Sequence, residues 1–65
     1  MNNINAYIKK CVMEGDLVEC TKEEYPFIRL ELQKVAGWMI DNNQGIRVTI
    51  ALNEVKRLDK LFFEE

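Results

Sequence analysis

The apolar residues at the two ends of the chain recur three and four positions apart, a spacing typical of amphipathic helices. This spacing predicts a helix over residues 3–14. The side-chain carbonyl of Asn2 or Asn3 can cap its first turn, and Gly15 can adopt the left-handed conformation that ends a helix. The same spacing predicts a second helix over residues 53–63. The two apolar stripes consist of Ile4, Tyr7, Ile8, Cys11 and Val12 and of Val55, Leu58, Leu61 and Phe62.

Residues 46–52 follow a different pattern, in which large apolar side chains alternate with smaller or polar ones. A period of two, together with several β-branched residues, is typical of a half-buried strand. The preceding residues 41–45 favour tight turns and positive φ angles. We therefore predict a β-hairpin at the centre of a small sheet. The inward side of its second strand consists of Ile46, Val48, Ile50 and Leu52, and the outward side of Arg47, Thr49 and Ala51.

The segment before this turn fits two interpretations. As strands, residues 27–32 and 35–41 pair antiparallel across a turn at Gln33-Lys34. If the segment is instead one helix, Pro26 lies in its first turn, where proline is tolerated, but Gly37 lies in its interior. We take the strands as the first interpretation and the helix as the alternative. The apolar stripe of the alternative helix consists of Ile28, Leu32, Val35, Ala36 and Met39.

Together these patterns predict an α+β fold of order α-β-β-β-β-α, a single small domain over residues 1–65. A meander of strands is covered on one face by the two terminal helices, because a sheet that is apolar on one face must bury it. Residues 21–25, which contain a possible capping box, are expected to form a loop. The predicted strands are residues 17–20, 27–32, 35–41 and 46–52. The predicted core consists of the stripe residues Ile4, Tyr7, Ile8, Cys11, Val12, Val55, Leu58 and Leu61 and the sheet residues Val18, Ile28, Leu30, Leu32, Val48, Ile50 and Leu52.

Composition argues against catalysis. The chain contains neither histidine nor serine, so Ser-His and Cys-His pairs are excluded. A chain of 65 residues is also expected to lack a pocket of several hundred Å³. Cys11 and Cys20 fall at apolar positions, so we expect buried thiols and a cytoplasmic protein. We expect no cofactor, no metal, no small-molecule substrate and no membrane span.

These exclusions favour a small non-enzymatic interaction or regulatory protein, with a protein partner or a second copy of itself as the partner. Trp and Arg are enriched at interface hot spots, and the predicted outer sheet face carries several such residues. A register shift of one residue would instead place Trp38 in the core. The predicted partner-binding residues are Phe27, Arg29, Trp38, Ile40 and Arg47.

Residues 47–61, RVTIALNEVKRLDKL, resemble the strand and first helix of ribbon-helix-helix DNA-binding proteins. The resemblance implies that Arg47, Thr49 and Ala51 point outward from a strand that enters the major groove. The chain ends where the second helix of that family should begin. A formal net charge of −2 also disfavours nucleic acid as a partner. A DNA-binding regulator is therefore the alternative function.

Overall fold

The computed structural model describes residues 4–62, which form three α-helices and one short 3₁₀ helix. The elements are α1 (Ile4–Glu14), α2 (Tyr25–Asp41), the 3₁₀ helix (Gly45–Arg47) and α3 (Val48–Phe62). No β-strand occurs between residues 4 and 62. The predicted α+β fold with a four-stranded meander is therefore wrong, and the chain is an all-helical bundle.

The N-terminal helix agrees with the prediction within the described residues. Ile8, Cys11 and Val12 of α1 are buried, as the helical stripe requires. Gly15 has a φ of 75°, and the N–H of Asp16 donates to the carbonyl of Cys11 at 2.8 Å. This bond is the six-to-one hydrogen bond of a Schellman motif, which satisfies a carbonyl at the helix end. The proposed caps at residues 2 and 3 lie outside the described residues.

The alternative interpretation of the second segment is the correct one, because residues 25–41 form one helix. The strands predicted at 27–32 and 35–41 are absent. Only the helical period brings all five apolar positions to one side, and this burial outweighs the cost of about 1 kcal/mol for a glycine at Gly37. The buried residues of α2 are Ile28, Leu32, Val35, Ala36 and Met39.

The residues predicted as a loop at 21–25 form a turn that leads into α2, whose first residue is Tyr25. The N–H of Thr21 donates to Glu24 Oε1 at 3.0 Å, and the N–H of Glu24 donates to Thr21 Oγ1 at 3.2 Å. This reciprocal pair is a capping box. Pro26 lies in the first turn of the helix, where the loss of its N–H costs little. Local hydrogen bonds therefore stabilise the start of the helix, and burial of the apolar stripe stabilises the rest of it.

The predicted turn at 41–45 does reverse the chain, but it joins two helices. Asn43 has a φ of 60°, and the N–H of Gln44 donates to the carbonyl of Met39 at 2.7 Å. This bond is again the Schellman pattern, with asparagine in the left-handed position. The composition of residues 41–45 therefore predicted the positive φ angle correctly, but the elements on either side are helices and not strands.

The strand predicted at 46–52 is wrong, since Val48 begins a helix that continues to Phe62. Ala51, predicted to point outward, is fully buried, whereas Ile46, predicted to point inward, is 86% exposed. A strict alternation over seven residues therefore did not decide the structure. The helix predicted at 53–63 is the C-terminal part of α3, with residue 63 outside the described range.

The segment between α1 and α2 has no regular secondary structure over residues 16–21, so the strand predicted at 17–20 is absent. Val18 is fully buried. Its N–H donates to Glu54 Oε2 at 2.6 Å, and its carbonyl accepts from Arg57 Nη2 at 2.5 Å. Tyr7 Oη accepts from the next N–H, that of Glu19, at 3.0 Å. We call the side chains of Tyr7, Glu54 and Arg57 the linker clamp, because they satisfy backbone groups that a sheet would otherwise satisfy.

Helix α2 packs against both α1 and α3. Its first turn contacts the last turns of α3 through Tyr25, whose ring centroid is 5.6 Å from that of Phe62, so α2 and α3 run antiparallel. The linker clamp joins α1 and α3 on the other side of the core. Four residues expected in the core are exposed, namely Tyr7, Leu30, Leu52 and Leu61. The observed core consists of Ile8, Cys11, Val12, Val18, Ile28, Leu32, Val35, Ala36, Met39, Ala51, Val55 and Leu58.

Candidate interaction surface

The five residues predicted to bind a partner do not share one face. In the helix, Phe27 and Trp38 lie about three turns apart (16 Å) on one side of α2. Arg29 and Ile40 have the same separation but lie on the side of α2 that faces α3. Arg47 is in the 3₁₀ helix and is half-buried. The predicted sheet face therefore does not exist, and its residues divide into two helix faces and a separate site.

The face that holds Phe27 and Trp38 forms a continuous stripe along α2. Glu31 and Lys34 lie between the two aromatic residues, at spacings of four, three and four positions. This spacing is that of successive a and d positions in a coiled coil, so the four side chains occupy one line of the helix surface. We call Phe27, Glu31, Lys34 and Trp38 the outer stripe.

The aromatic residues of the outer stripe are accessible at both of its ends. Phe27 is 66% exposed and Trp38 is 37% exposed. Leu30, one turn after Phe27, is 51% exposed and widens the apolar area at that end. Phe27 and Leu30 thus form an exposed apolar patch at one end of the stripe, and Trp38 is exposed at the other end, about 16 Å away.

Helix α1 borders the stripe and fixes the position of Trp38. Lys9 Nζ lies 4.2 Å from the centroid of a Trp38 ring. A cation–π contact of this kind is worth about 0.5–1 kcal/mol at an exposed site. It covers one face of the indole and orients its remaining surface outward. Trp38 therefore belongs neither to a sheet face nor to the core.

The charged centre of the stripe is also held by α1. Glu31 Oε1 accepts a hydrogen bond from Asn5 Nδ2 at 3.1 Å. Its other oxygen, Oε2, lies 3.5 Å from Lys34 Nζ, which is long for a hydrogen bond. A carboxylate oxygen has two lone-pair directions, so Oε2 retains capacity for a further donor. Glu31 is therefore positioned but not saturated by its contacts within residues 4–62.

The predicted partner-binding residues omit Leu30, Glu31 and Lys34 of this surface, and two of these were placed in other structural positions by the strand interpretation. Lys34 was assigned to a tight turn and Leu30 to the inward side of a strand. Once α2 is taken as a helix, the spacing of four, three and four is visible in the sequence itself. The information that would have found the outer stripe was the helical period of the same segment.

The opposite side of α2 carries a second polar cluster. Arg29 Nε donates to Asp59 Oδ1 at 2.9 Å, and Arg29 Nη2 donates to Asp59 Oδ2 at 3.4 Å. The Tyr25 hydroxyl donates to the same carboxylate. We call Tyr25, Arg29 and Asp59 the edge cluster. With Pro26 they line an open groove of about 470 Å³, which corrects the expectation that so short a chain lacks this volume.

Hydrogen bonds shift the pKa values of the edge cluster. The Arg29 guanidinium, and then the Tyr25 hydroxyl, lower the pKa of Asp59. The hydrogen bond to Asp59 raises the pKa of Tyr25. The carboxylate is thus held ionised and the phenol neutral, and the arginine and aspartate neutralise one another. Such a cluster provides neither a base poised near neutral pH nor an uncompensated charge in the groove.

Arg47 does not occupy the position that the ribbon-helix-helix resemblance implies. It belongs to the 3₁₀ helix before α3, and its Nε is buried without a hydrogen-bond partner among the described residues. Thr49 is exposed in the first turn of α3, whereas Ala51 is fully buried. The three residues therefore do not lie on one outward face, and the strand that would carry them is a helix.

The remaining candidate chemistry is limited. Cys11 is a buried free thiol, and Cys20 is a half-buried one whose pKa is raised by desolvation. Among residues 4–62, no three side chains of the metal-binding types come close enough to hold an ion together. Within the same range, the helices lack the combination of length and apolar character that a membrane span requires.

Comparisons of the chain with models of protein families, with curated proteins and with solved structures found no match.

Proposed function

We propose that this chain is a small, non-enzymatic interaction protein of the cytoplasm that binds another protein through the outer stripe of α2. The observation that carries the proposal is the exposure of Phe27, Leu30 and Trp38 on one side of a single, well-packed helix. Free thiols at Cys11 and Cys20 are compatible with a reducing compartment.

The stripe has the composition and the support of a protein-binding surface. Tryptophan is among the residues most enriched at hot spots, and Lys9 and the core side of α2 hold this tryptophan in place before any partner arrives. A side chain that is already ordered loses little conformational entropy on binding. Helix faces with apolar anchors at such spacings bind grooves or other helices.

A protein is a better partner than a nucleic acid or a small molecule. The outer stripe carries one acid and one base, so it has no net positive charge to attract phosphate. The edge-cluster groove has volume, but its arginine and aspartate already bond each other. The strand on which the ribbon-helix-helix resemblance depends is absent from residues 4–62.

Photocrosslinking in cells that naturally produce the chain tests the proposal. A benzophenone amino acid would replace Leu30, beside the stripe, or Lys56, an exposed residue of α3. We expect a discrete protein adduct from position 30 and none from position 56. Trp38→Ala should reduce the adduct by about tenfold or more, because hot-spot truncation costs about 2 kcal/mol or more.

The matched control is Ile46→Ala, which removes a large exposed apolar side chain outside the stripe. We expect it to leave the adduct unchanged. Equal adduct yields from positions 30 and 56, or equal sensitivity to Trp38→Ala and Ile46→Ala, would refute a specific function for this face.

A further inference from the structure

The order of side chains along the outer stripe is self-complementary. From Phe27 to Trp38 it is aromatic, acidic, basic and aromatic, at spacings of four, three and four. When the stripe is read in the opposite direction, its spacings are unchanged, and the acidic and the basic residue exchange places. We propose that the partner of the stripe is a second copy of this chain, packed antiparallel about a two-fold axis. This inference rests on the proposed function and names the partner of the same face.

The two-fold axis passes between residues 32 and 33 of α2, the midpoint of the stripe. With a rise of about 1.5 Å per residue, Phe27 and Trp38 each lie about 8 Å from this midpoint on opposite sides. In an antiparallel pair, Phe27 therefore lies level with Trp38 of the second copy. Aromatic pairs of this kind add about 0.5–1.5 kcal/mol to the burial of their area. The dimer contains this pair twice.

The same axis brings opposite charges together at the centre. Glu31 lies level with Lys34 of the second copy, and Lys34 lies level with Glu31 of that copy. Lys34 is well suited to reach across, since its side chain is 60% exposed and its contact with Glu31 in its own chain is 3.5 Å. The carboxylate stays anchored by Asn5. Two cross-subunit ion pairs thus replace the one loose contact within each copy.

Charge also selects the orientation. A parallel arrangement in register would place Glu31 opposite Glu31 and Lys34 opposite Lys34, and like charges at such positions disfavour pairing. The antiparallel arrangement removes both repulsions. The stripe therefore favours one closed two-fold pair, which uses the same patch on both copies and leaves no open end.

Apolar side chains beside the stripe extend the contact. Leu30 borders it on one side, and Met13 of α1, one turn after Lys9, is 38% exposed on the other. A 65-residue domain buries only about 60% of its unfolded surface and gains stability from a second subunit. The occupant we infer therefore covers four of the exposed large apolar residues, namely Met13, Phe27, Leu30 and Trp38.

Charge exchange at the centre of the stripe tests this pairing. Sedimentation velocity at about 50 μM should give a dimer for the wild type, and Glu31→Lys or Lys34→Glu alone should weaken it by about tenfold. Each single variant places like charges at both central contacts. The double variant Glu31→Lys/Lys34→Glu restores opposite charges and should recover the dimer.

Mixing the two single variants gives the sharpest result. One copy then carries two central lysines and the other two central glutamates, so the heterodimer should form more tightly than the homodimer of either variant alone. Lys56→Glu, an equal charge change on an exposed residue of α3, should leave the wild-type dimer intact. Circular dichroism of each variant confirms that its helices are formed.

A monomeric wild type, or a dimer that all these exchanges leave unchanged, would overturn the inference. The proposed function would survive that result if position 30 still gave an adduct with a different protein that Trp38→Ala removed. An adduct composed of two copies of this chain, lost in each single variant and recovered in the mixture, supports both.

Discussion

The linker clamp and the edge cluster contain the same three kinds of side chain, a tyrosine, an arginine and a carboxylate, and both tie α3 to another part of the chain. They differ in what those side chains satisfy. In the linker clamp, the carboxylate and the guanidinium bond each other and also the N–H and carbonyl of Val18. In the edge cluster the three side chains bond only one another among the described residues.

Burial differs in the same direction. The side chain of Glu54 is 8% exposed, whereas that of Asp59 is 33% exposed. Water can replace the partners of Asp59 but has little access to Glu54. We therefore expect a salt bridge in this fold to matter for stability where it completes the hydrogen bonds of a buried backbone segment. A similar salt bridge at a surface groove contributes little.

The largest expected effect is that of removing the carboxylate of the linker clamp. Glu54→Ala leaves the buried N–H of Val18 without an acceptor and removes the carboxylate that Arg57 binds, and an unsatisfied buried N–H is costly. We expect a loss of about 2 kcal/mol in the free energy of unfolding, measured by urea titration. That is a large share of the stability of a domain of this size.

The matched change in the edge cluster is Asp59→Ala on the same helix. Because its carboxylate is partly hydrated, we expect a loss of about 0.5 kcal/mol or less. Equal losses from the two substitutions would show that the linker is not held by Glu54.

The second expected effect is a dependence of stability on pH. Burial by itself would raise the pKa of Glu54, but hydrogen bonds from Arg57 and from the N–H of Val18 outweigh it, and the pKa falls below its ordinary value of 4.5. The unfolded chain therefore takes up the proton first as the pH falls. The stability contributed by Glu54 is complete above about pH 5 and is lost as the pH falls through the lowered folded value.

Urea titrations between about pH 7 and pH 3 measure this contribution. The difference in stability between the wild type and Glu54→Gln should be largest near neutral pH and should shrink in acid. Asp59→Asn should change the profile less, because Asp59 is more hydrated. A constant difference between the wild type and Glu54→Gln over the whole range would contradict the assignment.

The sequence predicts the two ends of the fold and fails in its middle for a physical reason. The terminal stripes are compatible only with a helical period, and α1 and the later part of α3 follow them. Residues 46–52 are compatible with both periods, since Val48, Ala51 and Val55 are also spaced by three and four. Tertiary packing favours the helical period over the strand period, because it buries Ala51 and leaves Ile46 exposed.

The segment of α2 shows the same competition with the opposite balance. Its helical stripe was visible in the sequence and Pro26 was compatible with its first turn, but Gly37 and the aromatic residues Phe27 and Trp38 argued against it. Pro26 is accommodated because the capping box of Thr21 and Glu24 forms the turn before it, so that Pro26 lies in the first turn of the helix. The exposed aromatic residues Phe27 and Trp38 lie on the polar side of the helix, where they form the two ends of the outer stripe.

The candidate site could be predicted in part. Phe27 and Trp38 were identified from residue type alone, and the structure places them on one exposed face. Arg29 and Ile40 were separated from them by the helical twist, which turns neighbouring positions to different sides. The contacts of Glu31 with Asn5 and of Trp38 with Lys9 join residues far apart in the chain, and no local pattern contains such information.

The two tyrosine hydroxyls provide a further comparison, which includes the smallest expected effect. The hydroxyl of Tyr7 accepts the N–H of Glu19 at 3.0 Å and donates to the carbonyl of the same residue at 3.4 Å. Tyr7→Phe should therefore lower the free energy of unfolding by about 0.5–1 kcal/mol. The hydroxyl of Tyr25 bonds a carboxylate that Arg29 also binds, and its ring keeps its contact with Phe62 in the phenylalanine variant. Tyr25→Phe should shift the urea midpoint by less than the error of the measurement. A larger loss from Tyr25→Phe than from Tyr7→Phe would reverse the comparison and make the edge cluster the more important tie.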